Sequence, residues 1–183
     1  MKLLSKLSAL ILMITTGCAP EQSKKMTLFN EIKINYIQTI AKNEQMYASG
    51  AGGSIIGGPN KDLIKEFSFS LKSQKLVNIN QARALTIRCV EQLLSMVNQN
   101  EEIRPFLEFF PFRPSGVDLT LTFPPFDKSD PYSDKVYIST IFFMNSKIYY
   151  LQYDHEKKDD DFIFEETYEE ALERNANNPE KDL

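Results

Sequence analysis

Residues 135–154, KVYISTIFFMNSKIYYLQYD, carry the strongest fold signal of the chain. Two runs of β-branched and aromatic residues flank Asn145-Ser146, which suits a two-residue turn, so the stretch predicts a β-hairpin. Apolar residues occupy both faces of this hairpin, so we expect it at the centre of a sheet or with its second face covered. The turn predicts three cross-strand pairs: Phe142 with Tyr149, Thr140 with Leu151 and Ile138 with Tyr153.

Two other stretches alternate with a single apolar face. Residues 66–71 alternate phenylalanine and leucine with polar residues, and residues 117–123 repeat the pattern until Pro124-Pro125 ends it. Period-two alternation predicts strands with one buried side. A further short strand is expected at residues 162–164.

Helical periodicity marks three segments in which apolar residues recur every three or four positions. Asn78 or Asn80 suits the N-cap of the second helix, and Thr167 with Glu170 forms a capping-box pattern at the third. The predicted helices cover residues 27–48, from the asparagine cap to about 98, and 167–175.

The predicted fold class is α+β, an antiparallel sheet of about four strands packed on one face by helices. One domain is expected over residues 27–175, with a polar tail at 176–183. The order of elements loosely resembles cystatin-like and NTF2-like layouts, a likeness that implies no function.

Five of the seven glycines lie in one segment, from Gly50 to Gly58. Glycine disfavours regular structure, so we interpret this segment as a flexible connector. A phosphate-binding loop is not favoured, because no lysine–serine pair follows and the segment lies between a helix and a strand.

The first 17 residues, MKLLSKLSALILMITTG, combine two lysines, an apolar run and small residues, which is typical of a secretory signal. The signal is followed by Cys18, and the stretch resembles the lipobox of bacterial lipoproteins, although Thr15 stands where an aliphatic residue is usual. The resemblance implies cleavage before Cys18 and acylation of its thiol. Residues 18–26 would be a lipidated tether.

This resemblance implies a cell-envelope protein anchored to a membrane by its N-terminal lipid. Ala19-Pro20 lacks the aspartate associated with inner-membrane retention in enterobacteria, which favours the outer membrane facing the periplasm. The formal net charge of −4 makes nucleic acid a poor partner.

Two residues are candidates for nucleophilic or metal chemistry. Cys89 lies in the middle of the apolar stripe of the second helix, where a cysteine behaves as a small buried hydrophobe. His155 is the single histidine, which removes most zinc motifs. We therefore predict no catalytic residue, no metal site and no cofactor, with a Cys89–His155 dyad as a weak alternative.

An acidic stretch, residues 154–166, lacks the ligand spacing and mid-loop glycine of an EF-hand. We interpret it as a solvated, charged turn.

A connector at residues 103–114, IRPFLEFFPFRP, holds four phenylalanines and three prolines. The prolines prevent a long regular element. The phenylalanines either form a lid over the core or a contact surface for a partner or for lipid. Our expectation is mixed, with Phe106 and Phe109 inward and at least one of Phe110 and Phe112 outward.

The sequence favours a non-enzymatic lipoprotein that binds another protein or supports assembly at the membrane. One alternative is a small-molecule or lipid binder with a pocket between sheet and helices. A hydrolase of unrecognised type is a further alternative.

Overall fold

The computed structural model describes residues 19–56, 63–124 and 137–177, so the predicted signal and Cys18 lie outside the described residues. Three strands follow the first helix, five follow the second, and the third helix comes last among the described residues. Their bounds are α1 Ala19–Glu44, β1 Met46–Ile56, β2 Leu63–Ser73, β3 Val77–Asn78, α2 Ile79–Gln99, β4 Val117–Thr122, β5 Tyr137–Ile138, β6 Thr140–Met144, β7 Lys147–Asp154, β8 Asp159–Thr167 and α3 Tyr168–Asn177.

Six strands form one sheet in the order β1-β2-β4-β6-β7-β8, and β3 pairs with β5 in a two-stranded sheet. The α+β class is confirmed, but the sheet is larger than the four strands predicted. It is also mixed, because β2 and β4 pair in parallel while the other neighbours are antiparallel. A parallel pair needs a crossover connection. Helix α2 and the connector that follows it supply that crossover.

The central hairpin is confirmed at β6 and β7, which are both interior strands. Asn145 and Ser146 have φ values of 51° and 59°, the left-handed conformation that a two-residue hairpin turn requires. Phe142 pairs with Tyr149 and Thr140 with Leu151, as predicted.

The expected pairing of Ile138 with Tyr153 is wrong. Ile138 belongs to β5 and pairs with Val77 of β3. Ser139 separates β5 from β6, and its backbone N–H still donates to the carbonyl of Leu151 in β7. The residues before Ser139 are no longer part of the hairpin.

The glycine-rich segment is a strand over its described part, so the connector interpretation is wrong for Gly50 to Ile56. β1 pairs with β2 along its whole length, with register shifts near Gly50 and Ser54. A Cβ added at Gly53 would overlap the Phe29 ring of α1 and the backbone oxygen of Glu66. The glycine therefore lets helix α1 approach the sheet closely.

The first helix begins at Ala19, so the described part of the predicted tether, residues 19–26, is helical. It ends at Glu44 because Gln45 has a φ of 56°, a left-handed conformation that stops an α-helix. Tyr47, which falls within the helix predicted over residues 27–48, lies on β1 and is exposed.

The other two helices begin where their caps predict. Asn78 Oδ1 accepts from the backbone of Asn80 and Gln81, and Gln81 Oε1 accepts from the Asn78 N–H. At α3, Thr167 and Glu170 complete a capping box. The hydrogen bond from the Thr167 backbone lowers the pKa of the Glu170 carboxyl.

Helix α2 contacts both α1 and α3, and together the three helices cover one face of the large sheet. Tyr36 of α1 lies against Phe69 of β2 at a centroid distance of 4.4 Å and donates its hydroxyl to the Cys89 carbonyl. The side chains under this layer are fully or almost fully buried. They include Phe67, Phe69, Leu71, Leu119, Leu121, Ile141, Phe143, Ile148 and Tyr150.

The last strand is longer than predicted, and it changes the interpretation of the acidic stretch. β8 runs over Asp159–Thr167, where only residues 162–164 were expected in a strand. The solvated turn is confined to residues 155–158. β8 pairs with the interior strand β7. The hydrogen bonds of this pairing come from the backbone, so the charged side chains of β8 do not prevent it.

Candidate functional site

One face of the large sheet is covered by the helices, and none of the described helices lies on its second face. This second face is polar on the β2–β4 side, where it carries Ser68, Ser70, Asp118 and Thr120. Burial raises the pKa of the Asp118 carboxyl. The pKa of Glu66 is also raised, mainly by burial and to a smaller extent by repulsion from Asp118.

On the β6–β8 side the second face carries four apolar or aromatic side chains beside the Lys147–Glu165 ion pair. Phe142 and Tyr149 are directly paired across β6 and β7, and Leu151 is paired with Phe162 of β8. A register shift next to Leu151 turns Phe162 toward the second face, where 60% of its surface is exposed. We call these four residues the apolar strip.

Beneath the helices, Glu166 of β8 is fully buried and forms the centre of a charged cluster. Its Oε1 accepts from Arg83 Nε at 2.7 Å and from the Tyr150 hydroxyl at 2.5 Å, and its Oε2 accepts from Arg174 Nη1 at 3.0 Å. Burial, followed by the hydrogen bond to Glu166, raises the pKa of Tyr150. Asn80 accepts from Arg83 at 2.7 Å. The cluster joins α2, α3 and the sheet, which is a structural role.

Cys89 is fully buried, as predicted, and desolvation raises the pKa of its thiol to about 12. A thiol of this kind is not a nucleophile near neutral pH. His155 lies in the turn after β7, with its ring edge-on to Tyr153 at 5.0 Å.

The connector is irregular, as predicted, with single 3₁₀ turns at Arg104–Phe106 and Pro114–Gly116. Phe112 is buried and meets Phe67 edge-on at 5.5 Å, while Phe106 is half-buried against the core. The expectation that Phe109 points inward is wrong. Phe109 and Phe110 are 62% and 50% exposed, and we call them the aromatic tip.

The reason for this arrangement is the hydrogen bonding on either side of the tip. Asn98 of α2 exchanges two hydrogen bonds with the backbone of Phe112, and the Glu108 N–H donates to the Ile64 carbonyl. Residues 109–110 therefore bulge outward between two fixed points. A small cavity of about 60 Å³ lies beside the tip, and Glu108 Oε2 is a buried oxygen without a hydrogen-bond partner among the described residues.

A larger cavity of about 330 Å³ lies where α1 ends, lined by polar residues of α1, β2 and α2. Arg88 and Glu44 both line it, and Arg88 donates two hydrogen bonds to Glu44, at 2.9 and 2.8 Å. Its volume is at the lower end of the range of small-molecule sites.

Tyr149 and Tyr150 face opposite sides of the sheet, and only Tyr150 lies on the side that the helices cover. Within residues 19–56, 63–124 and 137–177, no group of three or more histidine, cysteine or carboxylate side chains is arranged to hold a metal ion. The helices in that part of the chain are all too short or too polar to cross a membrane.

No protein-family model, no curated protein and no solved structure matches this chain.

Two of these features were not predicted from the sequence. The Glu166 cluster joins residues up to 83 positions apart, and no local pattern marks such a pair. The apolar strip did have a signal, because both faces of the predicted hairpin were apolar.

Proposed function

We propose that this chain is a lipid-anchored cell-envelope protein with a non-enzymatic role, and that it binds another protein through the apolar strip. The anchor rests on the lipobox-like end of the signal at Cys18. The binding role rests on the second face of the β6–β8 sheet. The anchor would hold the domain at the membrane surface, with the outer membrane facing the periplasm as the expected site.

The apolar strip is the observation that carries the binding role. An apolar side chain on a solvated sheet face adds little to the stability of the monomer, because only part of its surface is removed from water. Here four such residues stand in two directly paired rows across three strands. A surface of this kind, rimmed by polar and charged residues, is typical of protein interfaces.

Crosslinking in intact cells tests the binding role. Tyr149→Ser and Phe162→Ser should each remove the crosslinked partner, because central aromatic residues dominate interface energies. Leu172→Ser is the matched control, since Leu172 is an exposed apolar residue on α3. Retention of the partner by both strip variants, at wild-type yield, would contradict the proposal.

Intact-mass measurement tests the anchor. The mature chain should begin at Cys18 and carry the mass of its acyl chains, and Cys18→Ser should abolish this form. A mature chain without acyl mass would exclude the anchor and leave the binding role to be judged by the crosslinking alone.

The cavity at the end of α1 favours a second candidate, the binding of a small polar molecule between sheet and helices. Because Arg88 is paired with Glu44, Lys75, which also lines the cavity, would provide the charge for an anionic ligand. A thermal shift with small carboxylates or phosphates, lost in Lys75→Gln, would support it.

A further inference from the structure

We propose that the aromatic tip inserts into the interfacial layer of the same membrane that holds the lipid anchor. This inference rests on the proposed acylation of Cys18. It adds a second contact between the domain and the bilayer, and that contact would fix the orientation of the domain.

The start of α1 and the connector lie at one end of the molecule. Lys24 forms an ion pair with Glu102 at 2.9 Å, just before the connector begins at Ile103. Cys18 directly precedes the first residue of α1, Ala19. Ala19 lies five positions before Lys24, which corresponds to about 7.5 Å along a helix.

Aromatic packing places the two segments together independently of the ion pair. The Phe29 ring of α1 lies 4.7 Å from Phe67, and Phe67 meets Phe112 of the connector at 5.5 Å. The row runs from the first half of α1 through the first half of β2 to the residue two positions after the tip. An acyl chain on Cys18 would therefore bring the aromatic tip near the bilayer surface.

The chemistry of the tip suits a membrane interface. Phe109 and Phe110 are adjacent, exposed and apolar, and the Arg104 guanidinium lies 4.5 Å from the centre of the Phe110 ring. Arginine beside an aromatic ring keeps its charge in the headgroup layer while the ring enters the acyl boundary.

The backbone on both sides of the aromatic tip is also fixed before any insertion. The hydrogen bonds of Asn98 to Phe112 and of Glu108 to Ile64 fix the chain on both sides of it. A contact surface that is already ordered loses little conformational entropy on binding.

The end of the molecule away from the aromatic tip carries a group of carboxylates. β7 runs from the Asn145-Ser146 turn, at the tip's end, to Asp154, and its eight residues span roughly 25 Å. The turn after it is flanked by carboxylates at 154 and 159–161. An acidic end is unfavourable beside anionic lipid, which supports the same orientation.

Acidic residues near the tip limit the electrostatic part of this contact. Glu101 and Glu102 lie at the end of α2, and Lys24 neutralises only Glu102. We therefore expect the tip to enter neutral bilayers nearly as well as anionic ones, with a weak dependence on salt.

A single tryptophan tests the insertion, because the chain contains none. The mature acylated Phe110→Trp protein would be reconstituted into phosphatidylcholine vesicles, with and without phospholipid brominated in its acyl chains, and then floated. Bromine should quench the emission of this variant by at least a factor of two, and the emission should shift to the blue. The matched control, Phe162→Trp, replaces a phenylalanine on the second sheet face that is at least as exposed as Phe110, and its emission should not be quenched.

The result separates the two proposals. Failure of the wild-type protein to float with the vesicles would overturn the anchor and this inference with it. Flotation without quenching of Phe110→Trp would leave the anchor standing and overturn the insertion, and the exposed tip would then be a surface for a protein. Thermal melts of both variants verify that each is folded.

Discussion

The two faces of the six-stranded sheet differ in how completely their side chains are used by the fold. On the helix-covered face, Leu119, Phe143 and Glu166 are almost entirely removed from solvent. On the second face, their neighbours Thr120, Phe142 and Glu165 are only partly buried or exposed. Stability is concentrated on one face, which leaves the other free to vary with function.

Glu166 and Glu165 test this contrast at adjacent positions of β8. Glu166→Gln should destabilise the protein by about 3–5 kcal/mol, because it leaves the Arg83 charge buried without a counter-charge. Glu165→Gln, which breaks only an exposed ion pair with Lys147, should change stability by less than about 1 kcal/mol. Urea denaturation measures both values. Similar losses for the two variants would show that the faces do not differ as described.

A double variant sharpens this result. Arg83→Met combined with Glu166→Leu should cost less than the sum of the two single changes, because no charge is left unpaired between them. Additive costs would contradict a direct coupling of the two side chains.

Two glycines of β1, Gly52 and Gly53, test how closely each face of the sheet is packed, because the space for an added Cβ differs between them. Gly53→Ala should cost about 1–3 kcal/mol, because its Cβ would overlap the Phe29 ring and the backbone of Glu66. Gly52→Ala points to the second face, where its nearest neighbour is Ser68 Oγ at 3.7 Å, and should be neutral or slightly stabilising. Thermal melts compare them, and equal losses would argue against close packing of α1 on β1.

The smallest effect is expected from the polar half of the second face. The folded-state pKa of Asp118 is raised, so its ionised form is destabilising at neutral pH. Asp118→Asn should therefore stabilise the protein at pH 7, by about 0.5 kcal/mol or less given its partial exposure. The gain should decline as the pH falls from the folded-state pKa and disappear below the unfolded-state value of about 3.9. A gain that persists at pH 3 would rule out this origin.

The sequence predicted those parts of the fold that depend on local chemistry. The hairpin turn, the N-cap of α2, the capping box of α3 and the one-sided alternation of β2 and β4 are all determined within a few residues. The parallel pairing of β2 with β4 was not predictable in this way, because it depends on where α2 returns the chain.

Glycine-rich β1 and aromatic Phe109 show why the other predictions failed. Glycine has a low strand propensity, but the close approach of α1 at Gly53 requires a residue without a side chain. Phe109 is apolar, but the fixed backbone at Glu108 and Phe112 leaves it outside the core. In both cases tertiary contacts outweighed the local preference of the residue.

The two edges of the sheet are protected against strand addition by different means. β8, with the sequence DDDFIFEET, resists the approach of another strand through the mutual repulsion of its carboxylates, and this protection weakens with acid or salt. β1, with the sequence MYASGAGGSII, has no charged side chain and relies on its two register irregularities, which neither acid nor salt alters. At high protein concentration the edges should thus resist strand pairing between copies of the chain at neutral pH, and acidification should weaken the protection of the β8 edge first.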